Sequence, residues 1–153
     1  MKMHAVATYL LRGDSVLLLI RNKKNDTVHR QGVYLPVGGK VEKSESIETA
    51  AKREVKEESG IVVNSLQLKA VVHGRSTTSD WVHFIFFSHN FSGEPVDGNE
   101  GSFIWVPINQ IHTAPMYEGD CRVFQDCLKH NFIVVDRLTD DLILKDYSLL
   151  YAA

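Results

Sequence analysis

Cysteine is scarce in this chain, and the two present, Cys121 and Cys127, fall in one segment with helical spacing. Such a pair builds neither a disulfide framework nor a zinc motif. Two buried or half-buried thiols in a reducing cytoplasm are expected. Long hydrophobic runs are missing as well. The longest near the N-terminus, Val16 to Ile20, is far short of the roughly 20 apolar residues that span a bilayer. No charged stretch, apolar stretch and cleavage pattern of a secretory leader precedes it, so no membrane partner is expected. Excess charge of either sign is also absent. Seventeen Lys and Arg face 19 Asp and Glu, a formal net charge of -2. That balance sets up no field to draw nucleic acid. A polyanionic ligand would therefore need a metal and local basic residues. No repeat or low-complexity segment interrupts the chain, and 44% apolar content over 153 residues suits a single domain, 1–153, with a sizeable core.

What the chain does have is concentrated between Gly38 and Ile61, GGKVEKSESIETAAKREVKEESGI. From about Ser46 to Ser59 this reads as a helix. Ile47, Ala50, Ala51 and Val55 recur at intervals of three and four and form an apolar stripe. Ser44 or Ser46 can cap its start, and Gly60 stands where a left-handed residue ends a helix. On it Glu54 and Glu57 (i, i+3) and Glu54 and Glu58 (i, i+4) project from one face. A solvated acidic face is the ordinary reading of such a run. Yet three like charges on adjacent turns repel, and a hard divalent cation relieves that conflict. Mg²⁺ takes a few carboxylate oxygens, retains waters and often completes its shell with substrate phosphates.

The rest of the chain reads largely as strand. His4 to Leu11 and Ser15 to Arg21 make a hairpin about Gly13-Asp14, and the unbroken run Val16 to Ile20 suggests a strand covered on both faces. A basic loop follows, Asn22 to Gly32, in which Lys23 or Lys24 is placed to meet a phosphate or base. Val33 to Val37 is a short strand, and Gly38-Gly39 a tight bend that lets backbone approach a ligand. Ile61 to His73 reads as strand with a turn near Asn64-Ser65, and Gly74 to Asp80 as a polar loop. In Trp81 to Phe91 the residues Trp81, His83, Ile85 and Phe87 share one face, and Val82, Phe84 and Phe86 the other. His83 reads as a core or cross-strand residue before a ligand. After the turn-rich loop Ser92 to Gly101 come a strand (Ser102 to Val106), a short helical turn opened by Pro107, and a helix (Gly119 to His130). Two strand-like runs end the chain. The sum is an α/β sandwich with a mixed sheet around one central helix.

The pattern Gly39-x5-Glu45-x7-Arg53-Glu54-Val55-x-Glu57-Glu58-x-Gly60-Ile61 resembles the Nudix box, and the chain is identified by it as a member of the Nudix hydrolases, which cleave nucleoside diphosphates linked to another moiety. The resemblance implies the Nudix α/β/α fold with this helix as its catalytic centre. It also implies Mg²⁺, or Mn²⁺, held by Glu54 and Glu58 with Glu57 third and the Gly38 carbonyl completing the protein's share. Glu45 and Arg53 hold the box together, with Arg53 orienting Glu54. Glu100, outside the box, is the candidate extra ligand or general base. Lys23, Gly39 and Lys40 are assigned to the substrate.

Flanking motifs extend the resemblance toward the 8-oxo-dGTP diphosphatases. These are Arg21 to Asp26, Val33 to Lys40, Glu100-Gly101 with Trp105-Val106-Pro107, Met116 to Asp120, and the tail LILKDYSL. By that resemblance Tyr117 supplies a stacking face, and Asp120 reads the base edge by hydrogen bonds. Two positions depart from the subgroup. Tyr34-Leu35-Pro36 replaces a run carrying a base-contacting Asn, and Tyr117 stands where Trp is usual. The loop 74–80 lacks the proline common in ADP-ribose-cleaving relatives. The expected reaction is hydrolysis of an oxidised purine nucleoside triphosphate to monophosphate and pyrophosphate. The alternatives are another nucleotide derivative, such as a dinucleoside polyphosphate, ADP-ribose or a different modified dNTP, and a catalytically silent nucleotide-binding domain.

Overall fold

The structure, a computed structural model, describes residues 2–153. Nine strands, two helices and one 3-10 turn (Ile108–Thr113) follow one another among these residues. Strands β1 (Lys2–Arg12) and β2 (Ser15–Arg21) turn about Gly13, whose φ of 57° needs a residue without Cβ strain. β3 (Tyr34–Leu35) and β4 (Val37–Lys40) flank Pro36, which has no N–H to give a ladder. Helix α1 (Ile47–Ser59) leads to β5 (Val62–Arg75), β6 (Asp80–Ser92) and β7 (Gly101–Pro107). Helix α2 (Glu118–Lys129) and the hairpin β8 (Ile133–Asp140) with β9 (Ile143–Ala152) complete the chain.

The sheet is mixed. β1 runs parallel to β6 and β5 parallel to β8, while β5–β6, β1–β4, β2–β7 and β8–β9 are antiparallel. Side chains alternate across the pleat. Val6 and Phe86 pack on one face with Ala50 and Ala51 of α1. Tyr9, Ile85 and Phe87 pack on the other with Val123, Phe124 and Cys127 of α2. This is the α/β/α sandwich expected, and the division of 81–87 between faces agrees with the alternation read from sequence. Val16, Leu17, Leu18 and Leu19 are all buried, with Val16 and Leu18 in one cluster and Leu17 in another, as a strand covered on both faces requires. Cys121 is half-buried and Cys127 buried, both as free thiols. Among the described residues no helix is long and apolar enough to cross a membrane.

Two local expectations are corrected. Gly38 and Gly39 do not form a bend. They lie within β4, opposite Ala7 and Val6 of β1. Glycine is needed there for close approach, because a Cβ at Gly38 would sit 2.1 Å from the Val6 carbonyl oxygen. The turn near Asn64-Ser65 is also absent. β5 continues through it, absorbing irregularities as register shifts at Val63/Ser65, Ser65/Gln67 and Leu68/Ala70. Since a backbone carbonyl cannot yield cheaply, Gly38→Ala should lower stability by about 3 kcal/mol, read as a shift of the urea midpoint without a change in slope.

Candidate active site

Helix α1 is set by its ends. Ser46 caps it in extended conformation, its side chain accepting from the Thr49 N–H, and Gly60 closes it at φ 80°. Ala50, Ala51 and Val55 press the inner face onto the sheet. Glu54, Glu57 and Glu58 border a chamber of about 320 Å³ whose far side is Gly98 to Gly101, including Glu100.

Arg53 organises this face. Its Nε donates to Glu45 Oε2 at 2.7 Å and its Nη2 to Glu45 Oε1 at 2.9 Å, a bidentate pair. Nη1 donates to Glu54 at 2.8 Å and Glu57 at 3.2 Å, and Nη2 also reaches the Lys40 carbonyl at 3.1 Å. The guanidinium is held protonated more firmly than usual, first by Glu45. In return it draws the Glu45 carboxyl down to about 2. Gly39 leaves room for Glu54, since a Cβ there would lie 2.6 Å from that carboxylate.

Glu58 is treated differently. Its Oε2 is buried without a hydrogen-bond partner. Burial first, then Glu54 and Glu100, pushes its carboxyl up to about 8. A divalent cation fits this set: four carboxylates face one chamber, and one carries an orphaned buried oxygen that a hard ion would satisfy. Among the described residues, however, no three potential ligands already stand close enough to enclose an ion. Glu57 is 59% exposed and turned to Arg53. Across the chamber Arg21 pairs with Glu100, and Lys23 approaches the same carboxylate at 3.8 Å.

A second cavity, about 200 Å³, adjoins the first, with Leu19 and Glu58 lining both. Gly38, Gly39, Leu35 and Asp120 line it, as do four residues the sequence reading did not assign to ligand: Arg21, His29, His83 and Arg137. Arg137 Nη1 donates to Asp120 Oδ1 at 3.1 Å. His83 is kept neutral, pushed down to about 4 by burial and then by Arg137. Arg137 arrives on β8, where one arginine in the run IVVDRL was the only sign in sequence. His83 followed the face alternation, but the open cavity beside it had no signature.

Two expected substrate residues stand elsewhere. Lys40 is exposed, with its Nζ 6.0 Å from the centre of the Trp81 ring. It faces a groove formed by residues 3–4 and 40–45 rather than either chamber. Tyr117 lines a small recess behind Asp120 and Arg137. Its hydroxyl accepts from the Arg30 N–H at 3.0 Å and lies 3.2 Å from His29 Nδ1, and the Arg30 guanidinium covers its ring at 5.0 Å. Arg30 covers one face of this ring, and Tyr117 does not line the cavity bordered by Leu35, Glu58 and Asp120. Tyr117 instead fastens the 22–32 loop, which carries His29 to the cavity.

An acidic chamber opening beside a compact cavity suits a hydrolase of nucleotide derivatives. The model for the NUDIX domain matches residues 1–127, and the chain belongs to the Nudix hydrolase family. It is 31% identical over 130 residues, 81% of this chain and 78% of the relative, to YvcI of Bacillus subtilis, named an uncharacterized Nudix hydrolase. It is 33% identical over 117 residues, 73% of this chain and 74% of the relative, to the oxidized purine nucleoside triphosphate hydrolase of Mus musculus. The crystal structure of the MutT protein from Bacillus halodurans superposes with a TM-score of 0.87 at 28% identity, covering 97% of each chain.

Proposed function

We propose that the protein is a Mg²⁺- or Mn²⁺-dependent pyrophosphohydrolase of oxidised purine nucleoside triphosphates such as 8-oxo-dGTP, releasing the monophosphate and pyrophosphate. The observation that carries this reading is the wall shared by the two spaces. Glu58 and Leu19 border both the carboxylate chamber and the cavity lined by Asp120. A nucleotide lying across that wall has its phosphates at α1 and its base against Asp120. The relatives named for oxidised purine triphosphates support the same substrate class.

Glu54, Glu57 and Glu58, with the Gly38 carbonyl, would hold the cation. When bound, it supplies charge neutralisation on the phosphoryl oxygens and a more acidic water. The chain's own residues do the rest. Arg53 keeps Glu54 aimed at the chamber, a support of the kind worth 10- to 100-fold in metal sites by order of magnitude. Arg21 fixes Glu100 opposite the helix, where it can take a proton from the attacking water. Lys23, beside Glu100, offers a cation to a phosphate. Asp120 accepts from the base, and Leu35 packs against it.

The test is pyrophosphate and phosphate release from 8-oxo-dGTP, dGTP, dATP, ADP-ribose and a dinucleoside polyphosphate, with Mg²⁺ and with chelator. Preference for 8-oxo-dGTP, abolished by chelator, is expected. In Asp120→Asn, kcat/KM for 8-oxo-dGTP relative to dATP should fall about tenfold or more, the scale of one lost base contact. An equal decline on every nucleotide would remove Asp120 from base reading.

A further inference from the structure

The base cavity contains a polar pair that neither the box nor its flanking motifs announce. Asp120 lies in the first turn of α2 and Arg137 in β8, and both line the same cavity. Their side chains are 22% and 13% exposed and meet at 3.1 Å. An arginine is a donor only, and the carboxylate it meets supplies acceptor oxygens beside it. One Nη is committed to Asp120, while the guanidinium carries five N–H groups, leaving donors for a ligand.

Gly119 shows that the placement is tight. A Cβ at this position would stand 2.9 Å from Arg137 Nη1 and 3.4 Å from its Cδ. Glycine is a poor residue inside a helix, yet here it gives the guanidinium its space. His83 adds no competing charge, since burial and Arg137 keep it neutral.

We propose that Arg137 is a specificity-determining residue for the nucleobase, pairing with Asp120 so that the cavity presents a donor beside an acceptor to a base edge carrying N–H beside C=O. The inference rests on the oxopurine reading above. The N1–H and O6 of an 8-oxoguanine supply that edge: the N–H donates to Asp120, and the carbonyl accepts from Arg137. Phosphates anchored at α1 prevent the base from turning over. An amidine edge of opposite order, as in 8-oxoadenine, therefore meets donor with donor and acceptor with acceptor. Unpaired polar groups left in a closed site are what reject the wrong base.

The experiment measures kcat and KM for 8-oxo-dGTP and 8-oxo-dATP in the wild-type protein, Arg137→Met, Arg137→Lys and Gly119→Ala. The preference for 8-oxo-dGTP should fall roughly 10- to 100-fold in Arg137→Met, mostly through KM. It should recover in part in Arg137→Lys, which restores a donor without the planar fork. Gly119→Ala keeps both charged residues and improves the helix, so folding is not at issue. It should lower the preference in the same direction by displacing the guanidinium. A wild-type preference that persists in both Arg137→Met and Gly119→Ala overturns the inference alone. Equal turnover of the two substrates by the wild-type protein also overturns the inference alone, whereas failure to hydrolyse either oxidised triphosphate overturns the oxopurine reading and the inference with it.

Discussion

Glu58→Gln should reduce turnover by about three orders of magnitude and, in chelator at neutral pH, leave a protein that melts higher than the wild type. The first effect follows from position. Glu58 is the box carboxylate that lines both spaces, and it offers an oxygen with no protein partner. On the proposed reading Glu58 holds the cation, and its loss removes several kcal/mol of transition-state charge stabilisation, at about 1.4 kcal/mol per decade of rate.

The second effect follows from linkage. Burial, then Glu54 and Glu100, raises the Glu58 carboxyl to about 8. Between its ordinary value and about 8 the folded state binds more protons than the unfolded one. Stability therefore falls as pH rises through that window, and ionisation at neutral pH opposes folding. A neutral glutamine removes the opposition, and a gain of roughly 3–6 °C is expected in a domain of this size. The gain should vanish below the ordinary carboxyl range, where Glu58 is protonated in both states. Scanning calorimetry in chelator at pH 4 and pH 7.5 checks this. A lower melting temperature for the variant at both values would show that Glu58 serves the fold rather than the reaction, a reversal of the usual trade between stability and activity.

The parts of this molecule that sequence revealed are those governed by local rules. Ser46 and Gly60 bound α1 because caps act within a turn of the helix. The stripe Ala50, Ala51 and Val55 announced which face would be buried, and the i, i+3 and i, i+4 spacing of Glu54, Glu57 and Glu58 announced that they would meet at one chamber. Alternation in β6 likewise separated Phe84 and Phe86 from Ile85 and Phe87.

What sequence hid depends on distant pairing. Gly38 and Gly39 look like a bend because two glycines permit one. Only the approach of Val6 and of the Glu54 carboxylate shows that small size, not turning, is the requirement. The second cavity joins β1, β6, α2 and β8. The parallel pairs β1–β6 and β5–β8 bring His83 and Arg137 to it from remote stretches of chain. Tyr117 follows the same rule. Its chemistry suggested a stacking platform, but the return of the 22–32 loop covers its ring with Arg30.

Arg53→Ala should cost 10- to 100-fold in kcat/KM, the order seen when groups that orient metal ligands are removed. It should also weaken the fold at neutral pH. One guanidinium satisfies both oxygens of Glu45, one each of Glu54 and Glu57, and the Lys40 carbonyl. Alanine leaves Glu54 free to turn from the chamber and unties α1 from the end of β4. Lysine will not rescue it, because a single ammonium cannot make the planar bidentate pair with Glu45 and reach Glu54 as well.

The pH dependence distinguishes this from general loss of packing. Arg53 holds the Glu45 carboxyl down at about 2, so its contribution is complete above the ordinary carboxyl value and is lost as pH falls through about 2. The stability difference between wild type and Arg53→Ala should therefore be widest at neutral pH and narrow through the acid range. Urea unfolding at pH 7, 4 and 2.5 measures it, and the double variant Glu45→Gln with Arg53→Ala isolates the pair. A difference constant across that range would assign Arg53 to packing alone. A narrowing difference together with the kcat/KM loss identifies Arg53 as the residue that converts a row of repelling carboxylates into an oriented set.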